Sequence, residues 1–225
     1  MSANKLVIFD CDGTLVDSQR IIIDAMRLTF TDAGQIPVSD ARVRSVVGLS
    51  PFEVMEDLLP DAEAALHREL EEKFKRTFYQ LRVENKAGPD PLYDGTLEAL
   101  RALDSAGYLL GVATGNSKRG LDRVIEEHGL EGLFMTMQTA DGHPSKPHPS
   151  MIYSAIADAG TDVANTVMIG DTSYDMTMSA HAGSHALGVN WGYHSDEELL
   201  AAGARCVVER YGDIPRLVES WIGKA

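Results

Sequence analysis

The chain has 225 residues, enough for one large domain or a core with an inserted module, and its 44% hydrophobic and 24% charged content is that of an ordinary folded protein. A formal net charge of −14 argues against a protein that coats nucleic acid or an anionic membrane surface, and no segment has the length and apolarity of a membrane span. Two cysteines, Cys11 and Cys206, give neither a disulfide framework nor a CxxC metal pair, and the N-terminus lacks a signal peptide's blocks, so a cytoplasmic setting is expected.

Leu6-Val7-Ile8-Phe9 reads as a short strand buried on both faces. It runs into Asp10-Cys11-Asp12-Gly13-Thr14. Carboxylates two residues apart leave the same face of an extended chain, with Cys11 packing on the other. Gly13 and Thr14 then break the strand into a turn. Open α/β sheets place ligands at the carboxyl ends of their strands, so the pair points to chemistry, with an Asp-rich turn as the plainer alternative.

From about Asp17 to Lys86 the pattern is helical and contains no strand. Ile22, Ala25, Met26, Thr29 and Ala33 recur at helical spacing, and Gly34 supplies a stop. Ser39 or Asp40 caps a short helix ending near Gly48. Ser50-Pro51-Phe52-Glu53 offers an N-cap, a proline at the first helical position and a capping-box glutamate. Leu66, Leu70, Phe74, Phe78 and Leu81 mark one side of a longer helix. Gly88-Pro89-Asp90-Pro91 reads as a linker. Residues 17–90 carry 14 acids against 10 bases, so most of the negative charge lies elsewhere.

From Leu92 onward helices and strands alternate. Helices are predicted over Thr96–Ala106, Lys118–His128, Pro149–Ala159 and Tyr174–Ala182, and strands over Tyr108–Ala113, Leu133–Gln138, Thr166–Ile169 and Ala186–Val189. Such alternation implies a parallel sheet with helices on both faces, and the first strand must join it to be buried. The expected fold class is α/β: a Rossmann-like parallel sheet core, residues 1–16 and 91–225, with an inserted α-helical cap domain, residues 17–90.

Three further segments fall at strand ends of that sheet. In Val112-Ala113-Thr114-Gly115-Asn116-Ser117 a strand delivers a hydroxyl and a glycine before a helix; Thr114 Oγ, the Gly115 N–H and the following amides can form an anion site, and the same residues can form a turn and cap. In Ser145-Lys146-Pro147-His148-Pro149 the prolines restrict the loop, and a fixed Lys146 suits a phosphoryl oxygen or a carboxylate partner. His143 and His148 keep no metal-ligand spacing. In Met168-Ile169-Gly170-Asp171-Thr172-Ser173-Tyr174-Asp175 two carboxylates can converge beside the strand end, and oxygen ligands without His or Cys suit Mg²⁺. Capping and dipole roles are the alternatives for Asp171, Thr172 and Asp175.

Asp10-x-Asp12-Gly-Thr, then Thr114, Lys146 and Gly170-Asp171-x-x-x-Asp175, resemble in order and spacing the haloacid dehalogenase superfamily of phosphotransferases, over essentially the whole chain. The resemblance implies that Asp10 is the nucleophile forming an aspartyl-phosphate and Asp12 the acid and base. It implies Mg²⁺ held by Asp10, the Asp12 carbonyl and Asp171, with Asp175 supporting directly or through water and Thr114, Gly115 and Lys146 on the phosphoryl oxygens. The substrate is then a small-molecule phosphate ester. Among relatives the chain looks most like phosphoglycolate phosphatases, which makes 2-phosphoglycolate the leading substrate, ahead of nucleotides or sugar phosphates. Gly115 departs from them, since many have Asn there.

A β-phosphoglucomutase-like enzyme shares all four motifs. Those mutases usually have a hinge histidine where this chain reads Ser18-Gln19-Arg20-Ile21, and a basic residue where Pro51 follows Gly48-Leu49-Ser50. A haloacid dehalogenase does not need the acid Asp12. A phosphonate hydrolase needs a cap lysine, and Lys73 and Lys75 read as solvated. A non-catalytic module is disfavoured because every catalytic position is filled. Arg44, Gly48, Leu49 and Ser50 form a candidate specificity loop, with Arg44 reading a carboxylate or second anionic group. Trp191-Gly192-Tyr193-His194 follows the last clear core strand and either borders the site or, as the plainer reading, is loop packing. A monomer or homodimer is expected.

Overall fold

The computed structural model describes residues 4–84 and 89–223. Its centre is a six-stranded, wholly parallel sheet in the order β3-β2-β1-β4-β5-β6, with β1 Leu6–Phe9, β2 Leu109–Thr114, β3 Thr136–Thr139, β4 Thr166–Gly170, β5 His185–Val189 and β6 Cys206–Val208. β1 lies between β2 and β4, so the chain crosses from one side of the sheet to the other there. In open α/β sheets that switch point leaves a crevice outside the carboxyl ends of the strands.

Both faces of the sheet are covered, which explains the continuous apolar β1. Val7 and Phe9 pack on one side with β2, β4, α5 (Thr96–Ser105), α6 (Lys118–Glu127) and α10 (Ile214–Val218). Leu6 and Ile8 point the other way, onto α7 (Ser150–Ala159) and α8 (Ser173–Ala182). A small cluster under α9 (Asp196–Ala201) closes the far edge.

Between β1 and β2 the chain builds α1 (Gln19–Asp32), α2 (Asp40–Arg44), α3 (Pro51–Leu58) and α4 (Ala64–Glu84). These four share their own apolar core, including Met26, Phe30, Val46, Met55 and Leu70. No helix among the described residues is long and apolar enough to cross a membrane.

The predicted elements are present with four corrections. α2 ends at Arg44, well before Gly48. Ser50 occupies the N-cap of α3 without a side-chain cap bond, so the capping box is absent; its amide turns instead to Ser145 Oγ at 2.8 Å. β3 starts at Thr136 rather than Leu133, with Phe134 tucked into the core. The strand β6 was not expected, because three residues carry too little period to stand out from a turn. Gly88 of the expected linker lies outside the described residues, as do residues 85–87 of the block assigned to the cap.

Candidate active site

The Asp10 amide donates to Ile169 O at 2.9 Å, which anchors it just beyond β1 and over β4. The chain then folds tightly, with the amides of Thr14, Leu15 and Val16 all turned toward Cys11 O. Gly13, at φ +89°, makes that turn possible, and a side chain there would strike the Asp171 carboxylate. Cys11 points into the core, while Asp10 and Asp12 both line the cavity above the sheet. The alternation read from the sequence thus survives the end of the strand.

Four buried charged groups meet at this point. Lys146 Nζ lies 2.9 Å from Asp10 Oδ1 and 2.7 Å from Asp175 Oδ1. Asp171 Oδ1 accepts the Thr14 hydroxyl at 2.7 Å and its Oδ2 accepts the Tyr193 amide at 2.9 Å. Asp175 Oδ2 accepts both the amide and the hydroxyl of Thr172, so the residue closes a capping box at the start of α8 while also holding Lys146. Asp175 thus fills the capping role and faces Lys146 at the same time. One carboxylate oxygen from each of Asp10, Asp171 and Asp175 falls within 4.8 Å of the other two.

Three carboxylates against one ammonium leave this pocket short of positive charge. Burial pushes the Asp10 carboxyl up to about 7, against the pull of Lys146 and with a further push from Asp175. Burial and then the charges of Asp10 and Asp175 hold Asp171 well above the usual carboxylate range. Burial alone would depress Lys146, but the two aspartates beside it prevail and raise it. Asp10 Oδ2 and Asp12 Oδ1 are buried without any hydrogen-bond partner. Three converging carboxylates short of positive charge are the hard, anionic donor set a small divalent cation requires.

β2 ends on Thr114, buried, whose Oγ1 accepts the Asn116 amide at 3.1 Å. The amides expected to extend the anion site are committed locally. Ser117 N donates to Asn116 Oδ1 at 2.8 Å, and Lys118 N donates to Asp141 Oδ2 at 2.6 Å. Gly115 has a different constraint: a Cβ there would sit 2.7 Å from both Gly48 O and Leu49 O. Any side chain would lift the loop before α3 off the core, which accounts for the departure noted at this position.

Several contributors escaped the sequence reading. Asn116 Nδ2 donates to Asp12 Oδ2 at 3.1 Å, fixing the second aspartate. Trp191–His194 wraps Asp171: Trp191 Nε1 donates to Thr14 O, His194 N donates to Asp171 O, and Gly192 has no room for a side chain against Asp171. Backbone amides do most of this, and no residue-type signal announces them. Arg44 lies apart, its Nε donating to Gln19 Oε1 at 3.3 Å in a separate cleft with Asp17, Asp24 and Asp40.

Residues 7–189 match the family model described as haloacid dehalogenase-like hydrolase. The chain is 34% identical over 217 residues to the probable phosphatase IndB of Dickeya dadantii, spanning 93% of this chain and 91% of that protein. It is 29% identical to a phosphoglycolate phosphatase of Agrobacterium fabrum, with 98% and 95% covered. A putative β-phosphoglucomutase structure from Bacteroides vulgatus gives a TM-score of 0.83 at 23% identity, covering 99% of this chain and 91% of that one, so fold alone does not separate hydrolase from mutase. The family match runs from β1 through β5 and takes in the helical insertion and all four motif segments, and the chain belongs to the haloacid dehalogenase-like hydrolase family, among its phosphatase-type enzymes.

Proposed function

We propose that the protein is a Mg²⁺-dependent phosphomonoester hydrolase that works through an aspartyl-phosphate. The carrying observation is the cluster of Asp10, Asp171 and Asp175 around Lys146, with Asp10 Oδ2 left unpartnered. In this reading residues 1–16 and 91–225 are the catalytic core and residues 17–90 a cap domain that selects the leaving group.

Asp10 Oδ2 attacks phosphorus, forming the acyl-phosphate bond as the ester P–O bond breaks. Asp12, held by Asn116, gives its proton to the departing oxygen, then takes one from the water that cleaves the acyl-phosphate. Lys146, the Thr114 hydroxyl and the Gly115 amide hold the phosphoryl oxygens, while the same ammonium keeps Asp10 and Asp175 in place. Asp10, the Asp12 carbonyl, Asp171 and Asp175 would hold the cation, and Thr14 with the Tyr193 amide orients Asp171. When bound, Mg²⁺ supplies positive charge against which carboxylate and phosphate can approach.

The test is a panel of phosphate monoesters assayed with Mg²⁺ and with product identification, 2-phosphoglycolate first because relatives carry that name. Release of inorganic phosphate supports a hydrolase. An isomeric sugar phosphate from glucose 1-phosphates, without phosphate release, identifies a mutase and overturns the proposal.

A further inference from the structure

Above Asp10 and Asp12 lies a cavity of about 880 Å³, and it does not arise from a cap standing clear of the core. On one side the loop before α3 is seated: Ser50 N donates to Ser145 Oγ at 2.8 Å and the Tyr174 hydroxyl donates to Ser45 O at 3.0 Å. On the other, Arg123 Nη2 donates to Arg82 O at 3.1 Å and the Arg119 guanidinium lies 4.1 Å from the Tyr79 ring centroid. The space left between these two contacts has the size of a ligand pocket.

Its upper wall is rich in rings. Phe52, Phe74, Phe78 and Tyr79 line it, with Phe74 and Phe78 stacked at 5.6 Å. Three of its cations have acidic partners. Lys75 pairs with Glu71 at 2.7 Å, Arg82 with Asp90 at 2.6 Å and Arg123 with Glu127 at 2.6 Å. Arg119 is exposed and covers Tyr79. Among the described residues this wall therefore offers no buried cation without an acidic partner, Arg82 being ion-paired to Asp90 although its Nε and Nη2 find no hydrogen-bond acceptor.

A two-carbon acid would fill little of such a cavity, leave the rings against water and set its carboxylate before neutralised bases. A neutral leaving group with a flat aromatic face would bury that surface against Phe52, Phe74 and Phe78. We infer, resting on the phosphatase reading, that the preferred substrate is the phosphate ester of a neutral, ring-bearing alcohol of nucleoside size. Hydrolysis then consumes one water and releases inorganic phosphate and the intact nucleoside-like alcohol, whose oxygen takes the Asp12 proton.

The experiment compares kcat/KM, with Mg²⁺, for UMP, AMP and pyridoxal 5′-phosphate against ribose 5-phosphate and 2-phosphoglycolate. Ribose 5-phosphate presents the same primary phosphate ester as UMP without the base. Ring-bearing esters are expected to win by about tenfold or more, the range of one aromatic stack, with the nucleotide and pyridoxal arms separating the two sources of the ring. In Phe74→Leu, which keeps apolar bulk and loses the ring, the UMP to ribose 5-phosphate ratio falls about tenfold, carried by KM. Phe52→Leu is the second variant should the first fail to fold. Equal loss for both esters in the folded variant marks mere packing and overturns the inference. Wild-type protein that prefers 2-phosphoglycolate or ribose 5-phosphate overturns it while leaving the phosphatase reading intact. Protein that releases phosphate from none of the five overturns both.

Discussion

On the sheet side of the cavity, Asp10, Lys146, Asp171 and Asp175 are at most 1% exposed, and each is held by at least two fixed partners. On the helical side, Phe74 and Phe78 are half-buried and stacked on each other, and Tyr79 is 43% exposed under the Arg119 guanidinium. The first wall is an over-determined charge network, in which loss of one partner strands a buried charge. The second is an apolar surface whose contacts can be exchanged one methylene or ring at a time. A phosphoryl group is the same in every ester, so its site can be rigid. The leaving group differs, and in the proposed reading it meets the wall whose contacts are the easier to vary.

The comparison breaks most directly at Asp10. Asp10→Asn keeps shape and burial but removes the attacking charge, so kcat should fall by about 10⁴-fold or more for every ester alike. Steady-state phosphate release measures it. A variant that loses one ester and keeps another would place the nucleophile elsewhere and blur the division between the two walls.

The charge deficit makes the same wall sensitive to pH and to cation. Asp10, raised from 3.8 to about 7, holds its proton more tightly when folded than when unfolded, and Asp171 shifts the same way. Their contribution to stability is therefore full below about pH 4 and lost as pH rises through about 7, while Lys146, raised by its neighbours, stays charged throughout. Metal-free protein should melt lower at pH 8 than at pH 5. Mg²⁺ should stabilise by about 2.7 kcal/mol at a hundred times its Kd, and at one fixed concentration it should restore more at pH 8 than at pH 5. Thermal melts at both pH values with and without Mg²⁺ decide it, and an equal shift at both would sink the charge-deficit account.

How much of this was readable beforehand follows the same division. The sheet wall was legible because carboxylates and a lysine at strand ends are rare residue types in rare places, and because β1 declared its double burial through an unbroken Leu6–Phe9 run. What stayed hidden there was held by backbone: the Tyr193 and His194 amides on Asp171 could come from almost any residue types. Gly115 read as an anion-site glycine, and the close approach of Gly48 and Leu49 appears only once the helical layer is docked. On the helical wall the period placed Leu66, Leu70, Phe74 and Phe78 along one stripe. It could not say that Leu70 is fully buried while Phe74 and Phe78 are left to line a cavity, because the tilt of α4 against α6 is a tertiary outcome.

Asn116 stands where the two walls meet, and 104 residues separate it from Asp12, so only the adjacency of β1 and β2 brings them to 3.1 Å. In the proposed mechanism it would position the proton-transferring carboxylate rather than touch phosphorus. Asn116→Ala should therefore lower kcat by about ten- to a hundredfold, part of what general acid–base catalysis contributes, with KM little changed.

Arg44 gives the smallest expected effect and the sharpest check on where the selective wall lies. The sequence offered it as the reader of a carboxylate, but its guanidinium donates to Gln19 in a separate cleft with Asp17, Asp24 and Asp40, away from the ring-lined cavity. A partly exposed arginine with acidic neighbours and no access to the leaving group contributes little to binding. Arg44→Gln should leave KM and kcat within about twofold for both 2-phosphoglycolate and UMP, as substitutions away from a site usually do. A KM for 2-phosphoglycolate that rises tenfold or more, with UMP unmoved, would mean that the helical layer swings Arg44 over the sheet during turnover. The selective surface would then be the α2 loop rather than the rings of α4.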